Sequence, residues 1–464
     1  MKDRMNGYLT IFLSLSLSLL LSLFFVLIRG AFINYSKMKL EIVTDIGMNS
    51  VLAEYHRELL NQYDLLLIDM SYGTSSGGIH KLENHLIGYI GQNLQTTKNS
   101  VSAWNTLALQ DVQITETLMP HYYDGKILKR QACEYMSEKI RAEAIEDLSS
   151  YLTQAESLDR TDEMASWQNV MGKITSILSA LTTEARQQAL SADSEAEVDD
   201  INVSVDNPAD DIYSNANQQI NNLTNSDKKG ESITLSNYFS HRSSNQFVPP
   251  SGKYETNIIN NIASSLLFRT YLLEKMGYYQ NEKEGSLLNY QIEYLIVGAN
   301  ADDKNLRGIK TRIFAWRLAD NVRLYFSDSK KRQEANAIAA TVSALIMHPE
   351  LTQLIANSLL FSWAFSTSLD DVKALLDGNQ VPLVKKSINQ KEGGLLYSQY
   401  LEIMILITDE SKILARVMDV IEMDIRLTPN NQNFRIDLCL ESFRASIDYH
   451  DQYGVYNIDR RYGY

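Results

Sequence analysis

The sequence predicts a predominantly helical α+β chain. An N-terminal transmembrane helix continues as an amphipathic stem and leads into an extracytoplasmic domain with a small, mainly antiparallel sheet. Three observations carry this reading. Residues 8–28 form a run of 21 without a charged side chain, enough at ~1.5 Å per residue to cross the ~30 Å hydrocarbon layer. Beyond it, Ile33, Leu40, Val43, Ile46, Val51, Leu52, Tyr55, Leu59 and Leu60 recur at spacings near three and four, with no proline before Pro120, the period of an amphipathic helix. β-type patterning is confined to short stretches: the apolar run 65–68, "EYLIVG" at 293–298, and the alternation of Phe434, Ile436, Leu438 and Leu440 with Arg435, Asp437, Cys439 and Glu441, which reads as a half-buried antiparallel strand.

The elements follow in order. Residues 1–7, "MKDRMNG", form a cytoplasmic leader, and residues 8–28 the membrane span. Ser14, Ser16, Ser18 and Ser22 dilute its apolarity, but a serine hydroxyl can bond back to its own helix. A cleaved secretory signal would have a shorter core and an A-x-A-like site. This run exits instead through Arg29-Gly30-Ala31, so it reads as an uncleaved anchor. Basic charge is nearly balanced across the span, with Lys2, Arg4 and the amino terminus facing Arg29, Lys37 and Lys39; a long acidic domain that translocates regardless of nearby charge, and a short basic leader, favour the N-terminus inside and the large domain outside. The stem covers 29–62, and the globular part 63–190 and 253–464. Within it, helices are expected over 134–152, 164–190 and "NIINNIASSLLFRTYLLEKMG". The segments "AIAATVSALIM" and "LTQLIANSLLFSWAF" flank Pro349 and read as buried core helices rather than a second membrane hairpin. Between 193 and 211 there are eight acidic residues and no basic one, followed by an Asn-, Ser- and Gln-rich tract. Residues 191–252 therefore read as a flexible insertion.

Composition limits the function classes. Of the formal charge of −14, residues 1–30 contribute a net +2 from Lys2, Arg4, Arg29 and Asp3, leaving −16 on the remainder. An acidic domain disfavours nucleic acid as a partner. Cys133 and Cys439 are the only cysteines among 464 residues, too few for a disulfide framework or a structural zinc site, but candidates for one long-range bridge. No metal or cofactor is expected. His80 and His85, five apart, share no helical face, and neither H-E-x-x-H nor a phosphate-binding glycine motif occurs.

One motif invites a catalytic reading. Gly73-Thr74-Ser75-Ser76-Gly77 spells the G-x-S-x-G of a nucleophile elbow, in which a strand turns directly into a helix with the serine at its apex. Here Asp69, Met70, Ser71 and Tyr72 separate the apolar run from the first glycine, and Gly77-Gly78 stands where the helix should begin. Ser75 therefore reads as a turn residue, with glycines supplying backbone freedom. Asp64 and Asp69 read as carboxylates capping the ends of the run.

The stretches "GYLTIFLSL", "EYHRELLNQYDLLLIDMSYG", "LKRQACEYMSEKI", "YLIVGANADDKNLRGIKTRIFAWRLADNVRLYFSD" and "GGLLYSQYLEIMILI" resemble an uncharacterised family of Gram-positive membrane proteins associated with tight-adherence (Tad, or Flp) pilus loci. At its N-terminus that family is similar to TadE- and TadG-like pseudopilins. The resemblance implies a structural or assembly component of such a pilus or a related envelope machine, with the lipid bilayer and other assembly subunits as partners and homo-oligomerisation through the N-terminal helix. Gly7-Tyr8 is the candidate processing site; the fifth residue after Gly7 is Phe12, where pilin-like precursors carry glutamate. The alternative expectations are a membrane-anchored serine hydrolase using Ser75 and a membrane-tethered ligand-binding or sensory domain. A pocket holding His80 or His85 beside Ser75 would favour the hydrolase, and an apolar patch along the stem would favour assembly.

Overall fold

The computed structural model describes residues 2–96, 107–139, 262–345, 347–390, 393–451 and 454–464. The expected helix at 164–190, most of that at 134–152 and the acidic insertion at 191–252 lie outside them. The chain divides into two compact units. One comprises Met1–Gln131, Phe239–Ile258 and Ile421–Tyr464, and the other Ala132–Tyr238 and Ile259–Val420.

The first unit begins with α1, a single helix over Lys2–Leu52. Ser14, Ser16 and Ser22 donate their hydroxyls to the carbonyls of Ile11, Leu13 and Leu19 at 2.8–3.0 Å, so these serines cost the apolar stretch no free donor. The expected stem ends earlier than 62, because the chain turns at 53–56 and restarts as α2, Arg57–Tyr63. His56 supplies the reason: its Nδ1 accepts the Leu59 N–H at 3.2 Å as the N-cap of the new helix. The expected strand at 65–68 shifts to β1, Ile68–Asp69. After it come α3, Ile79–Thr96, then β2, Ala108–Leu118, and α4, Tyr122–Lys139, which belongs to this unit as far as Gln131. The last strands are β3, Cys439–Leu440, β4, Ser442–Asp451, and β5, Gly454–Gly463.

All strand pairing among the described residues is antiparallel. β4 lies between β2 and β5, and β1 pairs with β3. Val112 stands opposite Ile447, Phe443 opposite Tyr462, and Ile68 opposite Leu440. Phe443, Ala445, Ile447 and Tyr449 of β4 join Leu40, Val43, Met48 and Val51 of α1 and Leu82, Leu86 and Ile90 of α3 in one buried cluster. The half-buried strand expected over 434–441 is not formed as such: 436–438 is a 3-10 turn, β3 takes only Cys439–Leu440, and 436–441 is buried on both faces. Asp437 and Glu441 are buried through ion pairs with Arg435 and Arg130, an arrangement that hydrophobic alternation does not encode.

The second unit is helical among the described residues. Its elements are α5, Ile262–Lys275, α6, Gln291–Val297, α7, Asp302–Ser327, α8, Ser329–Leu345, α9, Thr352–Leu376, α10, Tyr397–Ile407, and the greater part of α11, Glu410–Arg426. The strand expected at 293–298 is helix α6. Gln291 to Ile296 are all buried, so the segment has no polar face from which a period could be read. Ala335 and Ala339 of α8, Ala356, Leu360 and Ala364 of α9 and Tyr325 of α7 form one buried cluster; much of α8 is exposed, so it is a surface helix rather than a core one.

A buried ion cluster ties the loop after α9 to α7. Arg317 is fully buried and donates to Asp371 at 2.9 Å, to Asp320 at 3.0 Å, and to the carbonyls of Pro382 and Leu383 at 2.8 Å. Asp320 accepts the Lys385 N–H at 2.9 Å, and Lys385 Nζ donates to both Asp371 oxygens at 2.7 and 2.8 Å. Removing one member leaves buried charges without their counter-ion. Arg317→Ala is therefore expected to lower stability by about 3–5 kcal/mol, read by chemical denaturation, with Asp320→Asn costing less because the carbonyl contacts of Arg317 remain.

Glu293 of α6 is buried without a cation. One carboxyl oxygen accepts from the Tyr397 hydroxyl at 2.7 Å and the Tyr279 N–H at 3.0 Å, while the other has no partner among the described residues. Burial is the main cause that pushes its pKa from 4.5 up to about 7, and nearby Asp302 adds to the rise. The folded state thus holds this proton more tightly than the unfolded one. The resulting stability is full below about pH 4.5 and is lost as pH rises towards 7. Glu293→Gln should equal the wild type at pH 4 and exceed it at pH 8 by on the order of 1–3 kcal/mol; equal stability at both values would contradict this.

Candidate functional site

The GTSSG bend is built around a carboxylate and an ammonium. Asp69, at the end of β1, accepts from the Ser71 N–H at 2.8 Å and the Ser71 hydroxyl at 2.7 Å, an Asx-type turn. From α3, Lys81 Nζ reaches back to the carbonyls of Ser71 at 2.9 Å and Ser76 at 2.5 Å, and to the Thr74 hydroxyl. Gly73 sits at φ +76°. A Cβ on Gly77 would lie 2.8 Å from Leu438 Cδ1 and 3.0 Å from the Ser71 backbone. Ser75 is exposed on the outside of this bend, and no hydrogen bond reaches it among the described residues.

Neither expected histidine joins Ser75. His80 is exposed and pairs with Glu83 at 3.0 Å. His85 pairs with Glu54 at 2.8 Å and stacks on Tyr72 with ring centres 4.0 Å apart. The hydroxyls of Tyr72 and Tyr89 also donate to Glu54, at 2.9 and 2.7 Å. Burial first, then the Glu54 charge, holds the Tyr72 phenol far above its ordinary pKa. Glu54 is a structural hub that fastens the bend and α3 to the turn after α1. Asp64 is the left-handed C-cap of α2, φ 51°, so both carboxylates flanking the apolar run serve turns.

Cys133 and Cys439 are both thiols, so the bridge raised by the sequence is not formed in this structure. Cys133 Sγ donates to the Ser264 carbonyl at 3.2 Å, and Cys439 Sγ lies 3.5 Å from that of Arg435. Burial, then the charge of Asp69, pushes the Cys439 pKa well up, which keeps it a thiol. The Gly7-Tyr8 junction lies inside continuous α1.

The structure instead draws attention to the outward face of α1. Leu40, Val43, Thr44, Met48 and Val51 face the core. Phe32, Tyr35, Met38, Ile42 and Ile46 are 38–55% exposed. Their spacings of three and four place them on one side of the helix. The sequence reading took Ile46 as part of a single apolar face; Phe32, Tyr35, Met38 and Ile42 recur at the same spacing and were the available signal of a second. Polar contacts hold the rotation of α1: the Thr44 hydroxyl meets Tyr449 at 2.7 Å, and Tyr462 donates to Asp45 at 2.7 Å.

For the bend, Ser75→Ala is expected to change stability by less than ~0.5 kcal/mol, whereas Gly77→Val should cost about 1–3 kcal/mol by overpacking. Gly73→Val should cost a similar amount through backbone strain. Thermal melts of the three variants check this, and fluorophosphonate labelling of Ser75 in the wild type would contradict the structural assignment.

Comparison with known proteins gives few neighbours. No curated protein and no solved structure matches the chain. One family model does match, over residues 198–451, more than half of the sequence. The chain belongs to DUF5702, a family of unknown function.

Proposed function

We propose that the chain is a structural or assembly component of the cell envelope, of the Tad-pilus type or a related machine. It is anchored by residues 8–28, with the N-terminus cytoplasmic and both units extracytoplasmic. The observation that carries this reading is the second apolar face of α1, Phe32, Tyr35, Met38, Ile42 and Ile46, left exposed while the first face fills the core.

Lipid cannot cover all of it. With residues 8–28 across the hydrocarbon, Ile42 and Ile46 stand ~21 and ~27 Å above its edge. The headgroup zone extends only ~5–8 Å on each side. An exposed apolar stripe at that height fits another protein helix running alongside, and a parallel α1-type helix from a neighbouring subunit would meet it in register. The N-terminal resemblance to TadE- and TadG-like pseudopilins supports the same arrangement. The face is available for homo-oligomerisation or for a different single-pass subunit. Among the described residues nothing joins Ser75 to a base, so the hydrolase reading gains no support from the site. The ligand-binding reading has an independent observation in its favour, an open cleft in the second unit.

The test is site-specific photocrosslinking in native membranes. A photoreactive phenylalanine analogue at Met38 or Ile42 should give protein adducts. The same analogue at Asn457 of β5 should not. Ile42→Glu should abolish the Met38 adduct without shifting the melting temperature of the protein. Adducts to lipid alone, or none, would contradict the proposal. Protease added outside intact protoplasts should digest the chain beyond residue 33; protection of the C-terminal Tyr464 would invert the orientation.

A further inference from the structure

The second unit contains an open cleft of about 930 Å³ between the end of α9 and the loop that follows it. That places it in the upper part of the range for small-molecule sites, ~300–1,000 Å³. Its polar lining includes Asp370, Asp371, Asn379, Gln380, Lys385 and Asn389. The base is rigid. Lys385 is 5% exposed and Asp371 8%, and both belong to the ion cluster anchored by Arg317. The rim is exposed. The side chains of Asp370, Asn379 and Asn389 make no hydrogen bond with other described residues. Lys385 Nζ gives two of its contacts to Asp371, and an ammonium carries three donors, so one remains for the cleft it lines.

The chemistry of this lining selects its ligand. At and behind the base Arg317, Arg323 and Lys385 pair with Asp320 and Asp371, and Asp370 at the rim brings these charges to three of each sign, so this cluster offers an anion no excess of positive charge. The Lys385 ammonium on the same wall opposes a cation. Among the described residues no group of His, Cys, Asp or Glu is placed to hold a metal. Amides and a carboxylate on the rim suit a polar ligand presenting many donors and acceptors without net charge. Backbone recognition of an extended peptide is disfavoured because the local backbone edge is already used: Val381 and Leu395 exchange hydrogen bonds at 3.0 and 2.9 Å. Recognition is left to side chains. We propose that this cleft is a binding site for a neutral, hydroxyl-rich glycan, with Asp370, Asn379 and Asn389 bonding its hydroxyls and Lys385 donating from the base.

The site rests on residues of the second unit alone and does not depend on the assembly role of α1. The test uses the full chain in lipid nanodiscs free of sugar detergents, titrated calorimetrically with chitotetraose, maltotetraose, tetra-alanine and inorganic phosphate. At least one oligosaccharide should bind. The double variant Asp370→Ala/Asn389→Ala, which removes side chains without a protein partner, should bind it at least about tenfold more weakly, the loss expected from one or two hydrogen bonds, with an unchanged melting temperature. Absence of binding by both oligosaccharides at about 10 mM, equal binding by the double variant, or tighter binding of tetra-alanine or phosphate would each overturn the assignment.

Discussion

The first unit depends on the burial of one face of α1. Leu40, Val43, Met48 and Val51 enter the core against α3 and the β2–β4–β5 sheet, and each such side chain contributes about 1.5–3 kcal/mol before entropy is counted. The core is therefore assembled from segments some four hundred positions apart, since Thr44 bonds Tyr449 and Asp45 bonds Tyr462. The helix long and apolar enough to cross a membrane is also the one that organises this unit. The stem is thus a core element of the unit.

That packing also determines which side of α1 remains outside. A helix free to rotate could hide Phe32, Tyr35, Met38, Ile42 and Ile46 against its own sheet. The polar contacts through Thr44 and Asp45 remove that freedom, and the pairing of Glu41 with Arg460 at 3.8 Å adds to them. Polar contacts of this type add little net stability individually, but they set the angle at which the apolar stripe is presented. The second unit follows a different principle. It fixes its loops with buried charge, through Arg317, Asp320, Asp371 and Lys385, and it tolerates an uncompensated carboxyl at Glu293.

Much of the fold was legible in the sequence because its strongest patterns are local. The charge-free run at 8–28 lies in one long helix and the glycines at 73–78 form a bend before α3, but the helix stops at Leu52, so Tyr55, Leu59 and Leu60 of the three-four pattern fall outside it. The failures share a cause. Residues 291–296 and 436–441 are all buried, so hydrophobic period could not distinguish helix from strand in the first or identify the turn in the second. The paired charges Arg130–Glu441 and Arg435–Asp437 invert the usual link between polarity and exposure. Strand β2 was missed although Val112, Ile114 and Leu118 alternate within it, because its Asp, Gln and Glu residues made it read as loop. The cleft was invisible, since Asp320, Asp371 and Lys385 become neighbours only once α7, α9 and the following loop have packed.

The central claim is that α1 is one uninterrupted rod shared between the apolar span and the core of the first unit. Spin labels at Leu23→Cys and Asn49→Cys, on a chain whose native cysteines are replaced by alanine and which is diluted with unlabelled protein in nanodiscs, measure it by pulsed electron resonance. Twenty-six residues of continuous helix separate the sites by ~39 Å. A single narrow distribution near that distance is predicted; a broad distribution, or one centred well below it, would show a hinge near Gly30 and contradict the account.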